Sequence, residues 1–152
     1  MSRRRDNLTS DLFRDYQPEP VVERFAPEEV QAWSQAARLS KAVALTLEEA
    51  NMSREDIAVA MSEVLKANVS KTMLDNYASQ AREQVSISAL RLIALIQVTG
   101  DARALNALLE NSGLIVVPQK YEALLRREKA REAVERFERE AQAADAEWKA
   151  KR

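Results

Sequence analysis

Ser53 to Gln80 has the pattern of two short amphipathic helices joined by a turn, and it constrains the fold more than any other stretch. Ser53 precedes an apolar run and has Asp56 three residues later, a spacing at which a hydroxyl and a carboxylate satisfy the free amides of a helix's first turn. The apolar residues of this helix share one face: Ile57, Met61, Val64 and Leu65. A second helix starts after Ser70 and is expected to bury Leu74, Tyr77 and Ala78.

The second helix of this pair has a polar face turned away from the predicted core. It carries Lys71, Thr72, Asp75, Asn76 and Ser79. Thr, Asn and Ser side chains exchange hydrogen bonds with base edges or phosphates, and a lysine at the helix start can neutralise a phosphate or reach a guanine. Gln80 and Arg82 extend the polar set. The face is a candidate DNA-reading surface, and the alternative is the solvated surface of an ordinary helical pair.

Helical patterns continue after this pair. Residues 86–98 are apolar nearly all round, which is typical of a helix covered by neighbours on several sides. Gly100 is expected to end that helix in the left-handed conformation, and Asp101 to cap the next. The next helix supplies Leu105, Leu108 and Leu109 and ends before Gly113.

A further helix is predicted before the pair. Pro27 suits a first helical turn, and apolar spacing continues from there to Asn51, so one helix is expected over residues 27–51. Trp33 shares a face with Val30 and Ala37 and is expected to pack. With the helices that follow, this pattern predicts an all-α domain of five helices.

Residues 1–26 carry a short basic arm followed by an apolar strap. Arg3, Arg4 and Arg5 are candidate contacts to the minor groove or to phosphates, and the alternative is a solvated terminus. The strap contains the aromatic residues Phe13 and Tyr16. Because exposed aromatic clusters usually mark contact surfaces, we expect the strap to lie on the helical body or on another subunit.

Two apolar features follow the five helices. Residues 114–117 are a β-branched run that predicts either a short strand, paired with its copy in a dimer, or an extended segment packed on the body. Residues 119–152 are charged and alanine-rich, with a heptad seam formed by Ala130, Val134, Phe137, Ala141, Ala144 and Trp148. Val134, Phe137 and Trp148 are predicted at an oligomer interface, and a solvated single helix is the alternative. The strap, the run and the seam together favour a homo-oligomer, a dimer or tetramer.

Composition excludes several classes of function. The chain has no cysteine and no histidine, which removes thiol nucleophiles, thiolate metal sites and imidazole acid–base chemistry. With two glycines it cannot form a glycine-rich phosphate loop, so we expect no enzyme, metal or cofactor. No apolar run is long enough to span a membrane and the start is too charged for a secretory signal, so a cytoplasmic protein is expected. The net charge of -1 requires any DNA-binding charge to be focused locally or doubled by dimerisation.

Across Val69–Gln80, Ile87–Asp101 and Leu105–Leu109 the sequence resembles repressor-like helix-turn-helix regulators. It is most similar to small temperate-phage regulators of the CII-like type and to their relatives in Mu-like transposable phages. The resemblance covers about residues 42–113 and rests on hydrophobic patterns. It implies an oligomeric protein of the bacterial host cell that binds double-stranded DNA, with the second motif helix in the major groove. By position, the contacts it implies are Lys71, Thr72, Asn76 and Ser79.

The sequence thus predicts three regions: a basic arm and strap over residues 1–26, a helical helix-turn-helix domain over 27–118 and a charged C-terminal helix over 119–152. The function it favours is a sequence-specific phage or prophage transcriptional regulator. The alternative is a helical interaction module that assists phage transposition or DNA packaging without reading sequence. Such a module would dock a phage protein through the C-terminal helix.

Overall fold

The computed structural model describes residues 20–82 and 84–151, and within these ranges the chain is all α-helical, as predicted, with no β-strand. The described helices are α1 (Pro27–Val30), α2 (Gln35–Glu49), α3 (Arg54–Leu65), α4 (Lys71–Tyr77), α5 (Ala89–Thr99), α6 (Arg103–Leu108) and α7 (Glu122–Ala150). Short 3-10 turns follow α4 at Gln80–Arg82 and precede α7 at Gln119–Tyr121. The predicted arm residues Arg3, Arg4 and Arg5 and the strap residues Phe13 and Tyr16 lie outside the described ranges.

Most helix ends are set by local capping. Ser53 Oγ accepts a hydrogen bond from the Asp56 amide at 3.1 Å, which confirms the predicted start of α3. Ser70 Oγ caps α4 in the same way, accepting from the Met73 amide at 3.3 Å. Gly100 ends α5 in the left-handed conformation, at φ 75°, and its N–H donates to the Ile96 carbonyl, as expected.

The single helix predicted over residues 27–51 is wrong, because the chain leaves helical geometry between Val30 and Gln35. Ser34 is the reason: its hydroxyl accepts a hydrogen bond from the Ala37 amide at 3.0 Å and starts a new helix. Lys41 Nζ donates to the Gln31 carbonyl at 2.6 Å, which satisfies a group that the break leaves without a helical partner. Trp33 lies in this break with 73% of its surface exposed, so the packing role predicted for it is also wrong.

One apolar core joins α2 to α6. Helix α2 lies at its centre, in contact with α1, α4 and α6, while α3 packs against α5. The larger apolar side chains with the least exposure in this core are Val43, Leu47, Ile57, Met61, Leu74, Leu92 and Leu95. Ile57 and Leu74 bring α3 and α4 into the same cluster, so the helix pair is held by its buried faces.

Helix α5 is not covered on all sides, contrary to the prediction from its apolar composition. Leu92, Ala94 and Leu95 are buried, but Leu90 is 75% exposed and Ile93 is 44% exposed. The helix packs on α3 with one face, and no described element covers the opposite face. An apolar residue on the surface is common in folded proteins, so composition alone did not reveal which face is buried.

Asn106 on α6 joins the two chain segments that flank the helices of the core. Its amide nitrogen donates to the Glu23 carbonyl at 2.9 Å and to the Val116 carbonyl at 3.2 Å. Its Oδ1 accepts from the Val116 amide at 2.8 Å. Residues 114–117 therefore form no strand: the Val116 backbone bonds to the buried Asn106 side chain, while Leu114 and Ile115 are 65% and 53% exposed.

Arg103, the first residue of α6, holds the start of that helix against α2. Its guanidinium donates to Glu49 at 2.6 Å and to Asp101, and it lies 4.2 Å from the centre of the Phe25 ring. Burial alone would raise the pKa of Asp101, but hydrogen bonds from Arg103 outweigh it and place that pKa below its ordinary value. This contribution to stability is therefore present above the ordinary pKa and is lost when pH falls through the lowered one.

The chain divides into two compact units between Val116 and Val117. The second unit is the Gln119–Tyr121 turn followed by α7, and none of the described residues of α7 is buried. Within the described ranges, no helix combines the length and the apolar character needed to cross a membrane.

Candidate nucleic-acid interface

The turn between α3 and α4 is built without glycine. Lys66 takes the left-handed conformation at the end of α3, with φ 51°, and its amide donates to the Ser62 carbonyl. The Ser62 hydroxyl then closes the turn: it accepts from the Val69 amide at 2.9 Å and donates to the Ala58 carbonyl at 2.7 Å. Val69 is buried, so this hydroxyl satisfies a backbone amide that water does not reach. Ser62 belongs to no motif that the sequence pattern predicts.

Ser62→Ala should therefore destabilise the first unit by about 1–2 kcal/mol, because the buried Val69 amide loses its acceptor. Urea unfolding followed through the NMR signals of buried methyl groups would measure the effect in that unit alone. Ser79→Ala serves as the control, since the Ser79 side chain makes none of the described hydrogen bonds, and it should change stability by less than about 0.5 kcal/mol. Equal stability of the two variants would show that the Ser62 hydroxyl does not hold the turn.

Lys71 stands at the exposed start of α4 and already has an anionic partner. Its Nζ lies 2.6 Å from Glu55 Oε1 on α3, and both side chains are more than half exposed. The hydrogen bond from Lys71 lowers the pKa of Glu55, and the same bond raises the pKa of Lys71. Both groups are therefore charged at neutral pH, and the pair is open to solvent on the outer surface of the helix pair.

The carboxylate of Asp75, one turn further along α4, is also paired. Arg54 Nη1 at the start of α3 donates to Asp75 Oδ1 at 2.6 Å, and Glu48 lies 3.9 Å from the same guanidinium. The predicted reading face thus carries two ion pairs that cross from α3 to α4. Each pair brings together residues that lie far apart in sequence, so the sequence pattern did not reveal either.

The remaining predicted DNA contacts divide between exposed and half-buried positions. Thr72 is exposed beside Lys71, whereas Asn76, Ser79 and Gln80 are half-buried. Arg82 is exposed in the 3-10 turn and donates to the Asn76 side-chain oxygen, so these two residues form one polar group at the far end of α4. The predicted residues between 71 and 82 therefore form two groups, one at each end of the helix.

Trp33 adds an aromatic surface beside the second group. A surface groove of about 590 Å³ is lined by Trp33, Gln80, Ala81, Arg82, Gln84 and Val85. Helical spacing predicted a packed Trp33, and only the break before α2 brings this side chain out to the groove. An exposed indole next to an arginine is a surface on which a sugar or a base can stack.

The predicted oligomer-interface residues of the second unit lie on α7, where Val134, Phe137 and Trp148 are each more than half exposed. Among the described residues there is no group of three or more acidic side chains placed to hold a metal ion. Comparisons with protein-family models, with curated proteins and with solved structures found no match for this chain.

Proposed function

We propose that this chain is a sequence-specific DNA-binding regulator of the helix-turn-helix type, from a phage or prophage, which acts as an oligomer. In this proposal α2 to α6 form a five-helix, repressor-like domain. Helix α4 enters the major groove, with Lys71 and Thr72 nearest the bases or the phosphates. Asn76, Ser79, Gln80 and Arg82 extend the contact along the same edge.

The proposal rests on the position of α4, whose inner face is fixed in the core and whose outer face is polar and open to solvent. Leu74 and Tyr77 anchor its inner face in the core, and Ser62 and Ser70 set the turn and the first amide bonds before it. Its outer face carries short polar side chains and a lysine at the N-terminal end. A rigid helix with that outer face is what base-edge recognition in the major groove requires.

Under this proposal, the ion pairs at this face explain how a chain with a net charge near zero can bind DNA. Asp75 would repel phosphates if it were alone, but Arg54 neutralises it locally. Lys71 can exchange Glu55 for a phosphate at small cost, because an exposed ion pair in water is weak. Binding should therefore depend on salt with a modest slope for each subunit, and an oligomer would add the contacts of its copies.

Selection of duplex fragments from the source genome by the purified protein tests the proposal. We expect one discrete sequence to be enriched at near-physiological salt. Lys71→Ala should weaken binding to that sequence by at least about tenfold, because a groove or phosphate contact is lost. Glu55→Gln should strengthen binding roughly three- to tenfold, because it removes the competing carboxylate and leaves the lysine charged.

Lys129→Ala is the matched control, since Lys129 is an exposed lysine of α7 that makes none of the described hydrogen bonds. It should bind the selected sequence like the parent chain, and all three variants should keep their thermal stability. The proposal fails if Lys71→Ala and Glu55→Gln both bind with the parent affinity, or if enrichment is uniform and disappears as salt is raised.

A second function is favoured by α7, which forms a separate unit with exposed aromatic residues. In this alternative the chain is an interaction module that recruits a phage protein involved in transposition or packaging and does not itself read sequence. Folded protein that binds no duplex at any salt concentration would favour this alternative.

A further inference from the structure

Helix α7 carries an apolar stripe that is exposed. Its seam contains Val134, Phe137 and Trp148, which are 56%, 59% and 62% exposed. A single helix with so little internal burial gains most of its stability from packing against another apolar face. We therefore expect another apolar surface to cover the stripe, and the charged residues on either side of it indicate which surface that is.

We propose that the stripe is covered by α7 of a second copy of this chain, packed antiparallel, with the symmetry axis between residues 135 and 136. The inference deepens the oligomeric part of the proposed function. It is independent of DNA reading, because no residue of α4 takes part.

The seam assigns each residue of α7 a place in the heptad. Val134, Ala141 and Trp148 occupy one core position, and Ala130, Phe137 and Ala144 the other. The positions that flank the core are then Arg131, Glu138 and Asp145 on one side and Arg126, Ala133, Glu140 and Glu147 on the other. The flanks are basic in the N-terminal half of α7 and acidic in the C-terminal half.

A parallel pair would place like charges together. In parallel coiled coils the flanking residue that immediately precedes the first core position of a heptad faces the residue five positions later on the partner helix. Within Glu122–Ala150, this brings Arg126 against Arg131 and Glu140 against Asp145, and it leaves Ala133 against Glu138. Two of these three contacts repel and none attracts, so the sequence opposes a parallel dimer.

An antiparallel pair centred between residues 135 and 136 reverses this result. Arg131 then faces Glu138 of the other copy, and Arg126 faces Glu147, and each pair occurs twice by symmetry. The other flanking contacts, Ala133 with Glu140 and Leu124 with Asp145, each contain only one charged residue. No like-charged pair remains along the flanks.

The core contacts of this register are also complementary in size. Val134 meets Phe137 in the two central layers, Ala130 meets Ala141, and Ala123 meets Trp148 near the ends. A shift by one heptad that moves the axis toward the C-terminus would place Glu138 and Glu140 each against its own copy, and the opposite shift would place Arg131 against its own copy. The register centred between residues 135 and 136 is therefore the one that the charges select.

Existing contacts of α7 do not oppose this pairing. Arg126 bonds to Glu122 within its own helix at 2.7 Å, and Arg131 lies 3.5 Å from Glu128. Both pairs are exposed and therefore weak, so these arginines can turn to carboxylates of a second helix. Arg127, which occupies a core position, can lay its aliphatic stem across Ala144 and keep its charge in water.

Charge reversal in the full-length chain tests the orientation. Arg131→Glu should weaken self-association roughly tenfold in sedimentation equilibrium without DNA, because two attractive contacts become repulsive. Glu138→Arg should weaken it similarly, and the double variant should restore the parent affinity. Tighter self-association of the Arg131→Glu single variant would overturn the proposal. In a parallel pair Arg126 faces position 131, so the substitution would replace a repulsion by an attraction.

A distance measurement gives an independent answer. The chain has no cysteine, so Lys149→Cys and Glu135→Cys each provide one site for a spin label, at equivalent outward positions of the heptad. In the antiparallel pair the labels at position 149 lie ~40 Å apart along the axis, while those at position 135 are close. Short distances at both positions, or a monomer at about 100 μM by sedimentation, would overturn the proposal.

These measurements separate this inference from the proposed function. Lys71→Ala should self-associate like the parent chain, and the charge-reversal variants keep α4 unchanged. Loss of sequence-specific binding with normal antiparallel pairing would reject DNA reading alone. Normal DNA binding without antiparallel pairing would reject this inference alone.

Discussion

Leu95→Ala should lower the free energy of unfolding of the first unit by about 2–5 kcal/mol. Leu95 is fully buried in the face of α5 that packs on α3, so truncation removes buried apolar surface and leaves a cavity in a close-packed core. The measurement is urea unfolding followed through buried methyl NMR signals, which exclude the contribution of α7.

Leu90→Ala on the same helix provides a matched control. The chemical change is identical, but Leu90 is 75% exposed, so the expected change is less than about 0.5 kcal/mol. If the two variants lost stability equally, the assignment of the buried face of α5 would be wrong. The apolar composition of residues 86–98 predicted that both leucines are covered, and only the tertiary structure separates them.

Asn106→Asp should destabilise the first unit by about 3–5 kcal/mol at neutral pH. The two side chains have the same shape, but the substitution replaces an amide group that donates to the Glu23 and Val116 carbonyls with an acceptor. Three oxygens would then face one another at a buried position, and one of them would be charged. The same unfolding measurement would detect the loss, together with weaker protection of the Val116 amide from hydrogen exchange.

Acidification should reduce this deficit. A protonated carboxyl can donate to one of the two carbonyls, so folding raises the pKa of the introduced group above its unfolded value. The stability deficit of the variant relative to the parent is therefore smallest below the unfolded pKa of the introduced carboxyl group. The deficit grows as pH rises through the folded pKa. Asn111→Asp is the control, because Asn111 is exposed, makes none of the described hydrogen bonds and has a left-handed φ of 68° that aspartate also tolerates. A deficit that did not change with pH would count against this account.

The sequence predicted the helical class and several helix ends because these depend on neighbouring residues. The starts at Ser53 and Ser70 and the end at Gly100 each rest on contacts within four residues, which the spacing of polar, apolar and glycine residues records. The break between α1 and α2 escaped prediction although Ser34 is a good cap. A serine inside a continuous apolar pattern is also compatible with a helix interior, and the Lys41 contact that supports the break is ten residues away.

The candidate site shows the same division. Sequence alone indicated that α4 carries Lys71, Thr72 and Asn76 on a polar face, because helical periodicity assigns residues to faces. It did not reveal that Glu55 and Arg54 on α3 neutralise charges on that face, that Arg82 returns to Asn76, or that Trp33 lies beside them. Those contacts depend on the angle between packed helices.

Local chemistry, encoded in the sequence, determined that this chain forms helices, where several of them begin or end, and which face of α4 carries polar groups. Tertiary structure alone decided which apolar faces are buried, since Leu90 and Leu95 have the same side chain and differ only in what packs against them. It also decided the role of Asn106, which bonds to a backbone carbonyl 83 residues away. Such contacts form only when the core brings distant segments together, and no local pattern records them.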